Sequence, residues 1–139
     1  MNVLVDTSVW SLALRRSPHN LNATEKTVVA ELTELINEDR ARIIGLVRQK
    51  LLSGIKHAAQ FAKLQEILRA FPDEPLILSD YEAAAMASNQ RRAKGFAVSV
   101  SDMLICAVAQ SRGWAIFTLD PDFQLYSKVL PLKLHAVRG

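Results

Sequence analysis

Short apolar runs alternate with helix-spaced apolar positions along most of the chain. Val3-Leu4-Val5 is uniformly apolar and stops at Asp6, which predicts a buried strand over 2–5. Asp6, Thr7 or Ser8 then caps a helix through Leu14, and Ser17-Pro18-His19-Asn20 is a turn-rich break. Over 22–37, Val28, Val29, Leu32, Leu35 and Ile36 recur at helical spacing, with Glu25, Glu31, Glu34 and Glu38 on other faces. Arg42-Ile43-Ile44-Gly45 predicts a second strand. Helices follow over 46–55, stopped near Ser53-Gly54, and over 57–70, with Phe61, Leu64, Ile67 and Leu68 inward. Leu76-Ile77-Leu78, bounded by Pro72 and Pro75, predicts a third strand. Ser79 or Asp80 caps an Ala-rich helix that Gly95 ends. An apolar helix is expected over 102–113, a fourth strand over 114–117, a short helix from Pro121-Asp122-Phe123 and an edge strand over 132–136.

Strands alternating with helices define an α/β protein, a three-layer α/β/α arrangement around a mainly parallel sheet of four to five strands. With 139 residues and no internal repeat or linker, 1–139 reads as one domain. Half of the residues are hydrophobic and 22% are charged, which excludes a disordered chain. The single cysteine, Cys106, lies in an apolar run and rules out an internal disulfide or a Cys-rich zinc site. No apolar stretch nears the roughly 18 residues of a membrane span, and no secretory leader pattern follows Met1, so a cytoplasmic location is expected. A net charge of +3 is compatible with a phosphate-bearing partner and gains meaning only beside an acidic cluster.

Such a cluster is expected. In parallel α/β sheets, ligand sites gather beyond the carboxyl ends of the strands. Asp6 follows the first predicted strand and Asp120 the fourth, while Asp102 and Asp122 sit at predicted helix starts. Converging carboxylates repel and call for a cation, and oxygen ligands without His or Cys select Mg²⁺ or Mn²⁺ over Zn²⁺. One ion, or two about 3.5–4 Å apart, can activate water and polarise a phosphate, which suits phosphodiester hydrolysis. Each acid also has a structural reading: Asp102 as a helix-start residue, Asp122 as part of a capped turn.

Three motifs bear on that choice. Val5-Asp6-Thr7-Ser8-Val9-Trp10 resembles the N-terminal motif of PIN-domain ribonucleases, especially the VapC toxin family of VapBC toxin–antitoxin systems. The run from Ser101-Asp102-Met103 to Ala109 is similar to that family's acid-led apolar helix, and Thr118-Leu119-Asp120-Pro121-Asp122-Phe123 to its closing motif. The resemblance implies a PIN-like fold and a metal-dependent endoribonuclease. Asp6, Asp102 and Asp120 would be catalytic metal ligands, Asp122 a further ligand or one acting through water, and Ser8 and Thr118 hydroxyls that orient carboxylates. It also implies a homodimer, an RNA substrate and a VapB-like antitoxin whose tail crosses the acidic site.

One position departs from the pattern. The family's glutamate on the helix after the second strand falls here at Lys50, a swing of two charge units beside the expected ion. The ammonium could take an ion's place and pair with Asp6 or Asp102, so weak metal binding and attenuated cleavage are expected. The alternative is a catalytically inactive PIN domain that binds RNA or protein. Arg48, Lys56, Arg91, Arg92 and Lys94 are candidate backbone-binding residues, the 91–94 run foremost, although a solvated helix face is the usual role of such charges. Trp10 and Trp114 sit in apolar contexts that favour the core over base stacking, and the histidines lack ligand spacing. A phospho-receiver, a haloacid-dehalogenase-like phosphatase and a P-loop or Rossmann site fit less well. The first lacks an acidic pair after the first strand, the second has Ser8 where an aspartate is needed, and the last lacks glycine-rich turns.

Overall fold

The computed structural model describes residues 1–138. In chain order the elements are β1 (Val3–Val5), α1 (Thr7–Leu14), a 3₁₀ turn (Pro18–Asn20), α2 (Ala23–Asn37), β2 (Ala41–Arg42), α3 (Gly45–Leu52), α4 (Ala58–Leu68), α5 (Leu78–Ala93), α6 (Val100–Arg112), β3 (Ala115–Phe117) and α7 (Asp122–Tyr126). The strands form a parallel sheet in the order β2-β1-β3. Val3 aligns with Ala41 on one side and Ala115 on the other, and Val5 aligns with Phe117. All three residues of β1 are wholly buried. A central parallel strand covered on both faces has no polar side to present, so its sequence is an unbroken apolar run.

The expected α/β architecture and parallel sheet are present, but the sheet has three strands rather than four to five. The predicted strand at 76–78 is absent. Ile77 is the N-cap of α5 and Leu78 its first residue, and the two are 61% and 75% exposed. The buried Asp80 carboxylate decides this. It accepts the Ile77 N–H at 2.9 Å and is gripped by Arg112 of α6 at 2.5 and 3.0 Å, so the helix must start there. The predicted closing strand reduces to a bridge between Leu134 and Ile116, with Ile116 N–H donating to Lys133 and His135 N–H donating to the Ile116 carbonyl. The second strand ends at Arg42, and Ile43 bridges to Asp73.

Helix α6 is apolar nearly all round: Met103, Ile105, Cys106, Ala107, Val108 and Ala109 are all buried. Such a helix belongs inside, and α5 packs against it, burying Ala84, Ala87 and Ser88. Gly113 ends α6 in a left-handed conformation, φ 70°, which turns the chain directly into β3. Trp10 is fully buried, its indole N–H donating to the Val5 carbonyl at 3.1 Å, and Cys106 is a core thiol. No helix is long and apolar enough to cross a membrane among the described residues.

Candidate metal centre

Asp6 directly follows β1, and its N–H donates to the Phe117 carbonyl at the end of β3. This extends the pairing by one residue and sets Asp6 beside Thr118. Asp6 is the N-cap of α1, yet its carboxylate caps nothing. Instead Oδ2 accepts the Thr118 hydroxyl at 2.8 Å and the Ser8 hydroxyl at 3.0 Å. Each hydroxyl is also an acceptor: Ser8 Oγ takes the Leu119 N–H at 2.9 Å, and Thr118 Oγ1 takes the Asp120 N–H at 3.0 Å. The two side chains thus tie the loop after β3 to the loop after β1. Capping, the structural alternative for Ser8, is not what it does.

Asp102 lies in the first turn of α6, where Ser99 caps the helix by accepting the Asp102 N–H at 3.2 Å. The residue is 8% exposed, and its Oδ2 accepts the Tyr126 hydroxyl at 2.6 Å. After β3 the chain turns so that Asp120 Oδ1 accepts the Asp122 N–H at 2.9 Å. Asp102, Asp120 and Asp122 thereby place one carboxylate oxygen each within 4.8 Å of one another. Asp6 is not in this group, but its charge reaches Asp102. Burial first, then the repulsion of Asp6 and Asp120, push the Asp102 carboxyl above its ordinary range against the opposing pull of Tyr126 and Lys50.

The chemistry of the donor set fits a hard divalent cation. It consists of carboxylate oxygens alone, graded from buried Asp102 to exposed Asp122, at the carboxyl edge of a parallel sheet. Three mutually repelling acids so placed gain most from a cation between them.

Lys50 does not pair with Asp6 or Asp102. Its ammonium donates to Ser101 Oγ at 2.7 Å, and among the described residues it forms no ion pair. Ser101, one residue before Asp102, holds the lysine at the margin of the site, from where its charge still acts on Asp102. Glu31, the buried acid of α2, is engaged elsewhere by His135 and Arg138.

Two basic candidates are also corrected. Arg91 is 3% exposed and stacked between Phe96 and Tyr126, so it cannot meet an RNA backbone. Arg48 is tied to Asp73 and to the Leu68 and Phe71 carbonyls. Arg92, Lys94 and Lys56 are exposed. Tyr126 escaped the sequence reading. Its only signal was the spacing of four from Asp122 on a short helix, which gives no hint of contact with Asp102.

An α/β protein with an acidic site beyond the carboxyl ends of β1 and β3 is the class that fold and site define. The PIN domain family profile matches residues 3–129, and the chain belongs to that family. It is 28% identical over 143 residues to ribonuclease VapC11 of Mycobacterium tuberculosis and to VapC ribonuclease Mb1587 of Mycobacterium bovis, covering 98% of this chain and 99% of each relative. Among solved structures it is similar to FitAcB from Neisseria gonorrhoeae, with a TM-score of 0.74 at 23% identity over 96% of both chains. It also resembles VapBC2 from Rickettsia felis bound to a promoter DNA fragment, with a TM-score of 0.76 at 16% identity over 97% and 98% of the chains.

Proposed function

We propose that this protein is the RNA-cleaving toxin of a toxin–antitoxin pair, a divalent-metal-dependent endoribonuclease attenuated by Lys50. The convergence of Asp102, Asp120 and Asp122 within 4.8 Å of one another carries this reading. The full-length similarity to VapC ribonucleases supports it.

Asp102, Asp120 and Asp122 would hold Mg²⁺ or Mn²⁺, with Asp6 at its flank. The ion would supply Lewis acidity for a phosphodiester oxygen and ease loss of a proton from an attacking water. Thr118 and Ser8 hold Asp6 in one orientation through Oδ2. No histidine or lysine is needed as base. Arg92 and Lys94 would steady the RNA backbone. Lys50 lowers the negative potential that draws the cation in, and so weakens binding and cleavage. A VapB-like antitoxin, a homodimeric state and a cytoplasmic location belong to the same proposal.

The test compares this protein with its Lys50→Glu variant on structured and single-stranded RNA, with Mg²⁺, Mn²⁺ or EDTA. Stronger cleavage by the variant, abolished by EDTA, is expected. Absence of cleavage by both would replace this reading with a non-catalytic RNA- or protein-binding module.

A further inference from the structure

Among the described residues, Arg91 is a buried cation without a carboxylate partner. Its guanidinium lies 4.8 Å from the Phe96 ring centroid and 4.5 Å from that of Tyr126. Nη2 donates to the Ala97 carbonyl at 3.3 Å, while Nε and Nη1 are buried with no hydrogen-bond partner. Leaving such groups unpaired in the interior is costly, because each has given up its bonds to water without replacement. Surface stabilisation does not account for this, because an exposed arginine would incur no such cost.

The ring against which Arg91 stacks leads to the acidic cluster. Tyr126 is 4% exposed and packs edge-to-face with Phe123, centroids 5.1 Å apart. Its hydroxyl donates to Asp102 Oδ2 at 2.6 Å. The phenol ring is therefore held by a cation over one face and by the Phe123 ring beside it, with the hydroxyl turned to Asp102. With Oδ2 held by the phenol, the carboxylate as a whole is fixed in one orientation toward Asp120 and Asp122. Carboxylate ligands held by such outer partners bind metal more tightly, because less motion is lost on binding.

We infer that Arg91 and Tyr126 act in series as positioning residues, Arg91 locking the Tyr126 ring and Tyr126 locking the Asp102 carboxylate for metal. This rests on the metal-site reading above. It places Arg91, a residue with the sequence credentials of an RNA contact, behind the site rather than on its surface.

The experiment is a calorimetric Mn²⁺ titration of the full chain and of its Lys50→Glu variant, each carrying Tyr126→Phe, Arg91→Lys, or both. Phenylalanine keeps the ring and removes only the hydroxyl; lysine keeps the charge and removes the planar stack. Tyr126→Phe is expected to weaken Mn²⁺ binding about tenfold. Arg91→Lys should weaken it less, and the double variant should be no weaker than Tyr126→Phe alone. That non-additivity distinguishes a series from two separate packing defects. Unchanged affinity in folded Tyr126→Phe protein, or losses that add, would overturn the inference while leaving the metal site standing. Failure of both parents to bind Mn²⁺ would overturn the site and the inference together.

Discussion

Thr118 donates its hydroxyl to Asp6 at 2.8 Å, across 112 positions of sequence. The same oxygen accepts the Asp120 N–H at 3.0 Å, so one side chain couples the acid after β1 to the acid after β3. Thr118→Val keeps the shape and removes both bonds. Mn²⁺ affinity and RNA cleavage should fall roughly tenfold. Chemical denaturation should show a loss of about 1–2 kcal/mol, one net hydrogen bond or slightly more.

The carboxylates of Asp102, Asp120 and Asp122 each place an oxygen within 4.8 Å of the others, and they repel. Asp120→Asn should raise the thermal midpoint of the metal-free protein slightly while removing most Mn²⁺ binding. Scanning calorimetry with and without Mn²⁺ checks both signs. A midpoint that falls in the metal-free state would mean that Asp120 is held by something other than mutual repulsion.

Asp80 and Arg112 form the ion pair that starts α5, with the Asp80 side chain 1% exposed. Removing one partner strands a buried charge, so Arg112→Met should destabilise by about 3–5 kcal/mol. Asp80→Asn combined with Arg112→Met should recover part of that loss. Urea unfolding of the three variants measures it.

The same carboxylate sets an acid limit. The Arg112 hydrogen bonds hold Asp80 below the ordinary carboxylate range against the opposing effect of burial. Burial likewise opposes the hydrogen bonds of His135 and Arg138 that keep Glu31 low. A carboxylate depressed in the folded state contributes stability fully present above its unfolded pKa, about 4, and lost as pH falls through the lower folded value. Unfolding free energy should therefore hold between pH 7 and 5 and decline below about 4. Asp80→Asn/Arg112→Met should flatten part of the decline.

Arg92 and Lys94 are exposed where Arg91 is not. Replacing both with glutamine should weaken RNA binding and reduce the salt slope by about 0.7 per lost phosphate contact. Filter binding at several salt concentrations measures this. Arg91→Gln should instead leave the salt slope unchanged, because that side chain is buried.

Read from residues alone, the alternation of apolar runs and helical periods was enough for the α/β class, because a buried parallel strand and a core-facing helix leave different apolar spacings. It failed where a local apolar triplet had no tertiary reason to be a strand. Leu76-Ile77-Leu78 looks like β1 in composition, but the Asp80–Arg112 pair fixes a helix start there.

Asp6, Asp102, Asp120 and Asp122 were legible as site candidates because acids at element ends leave a linear trace, whereas Lys50 stood out only against the family resemblance. Which of them converge was not legible. Only the packed sheet edge sets Asp102 with Asp120 and Asp122, gives Asp6 to Thr118 and Ser8, and hands Lys50 to Ser101. Charge in a sequence carries no depth, so Arg91 read as surface until Phe96 and Tyr126 closed over it. Chemistry at element ends was determined by residue type and local spacing. Partnership and burial depend on distances across the fold, which only the tertiary structure decides.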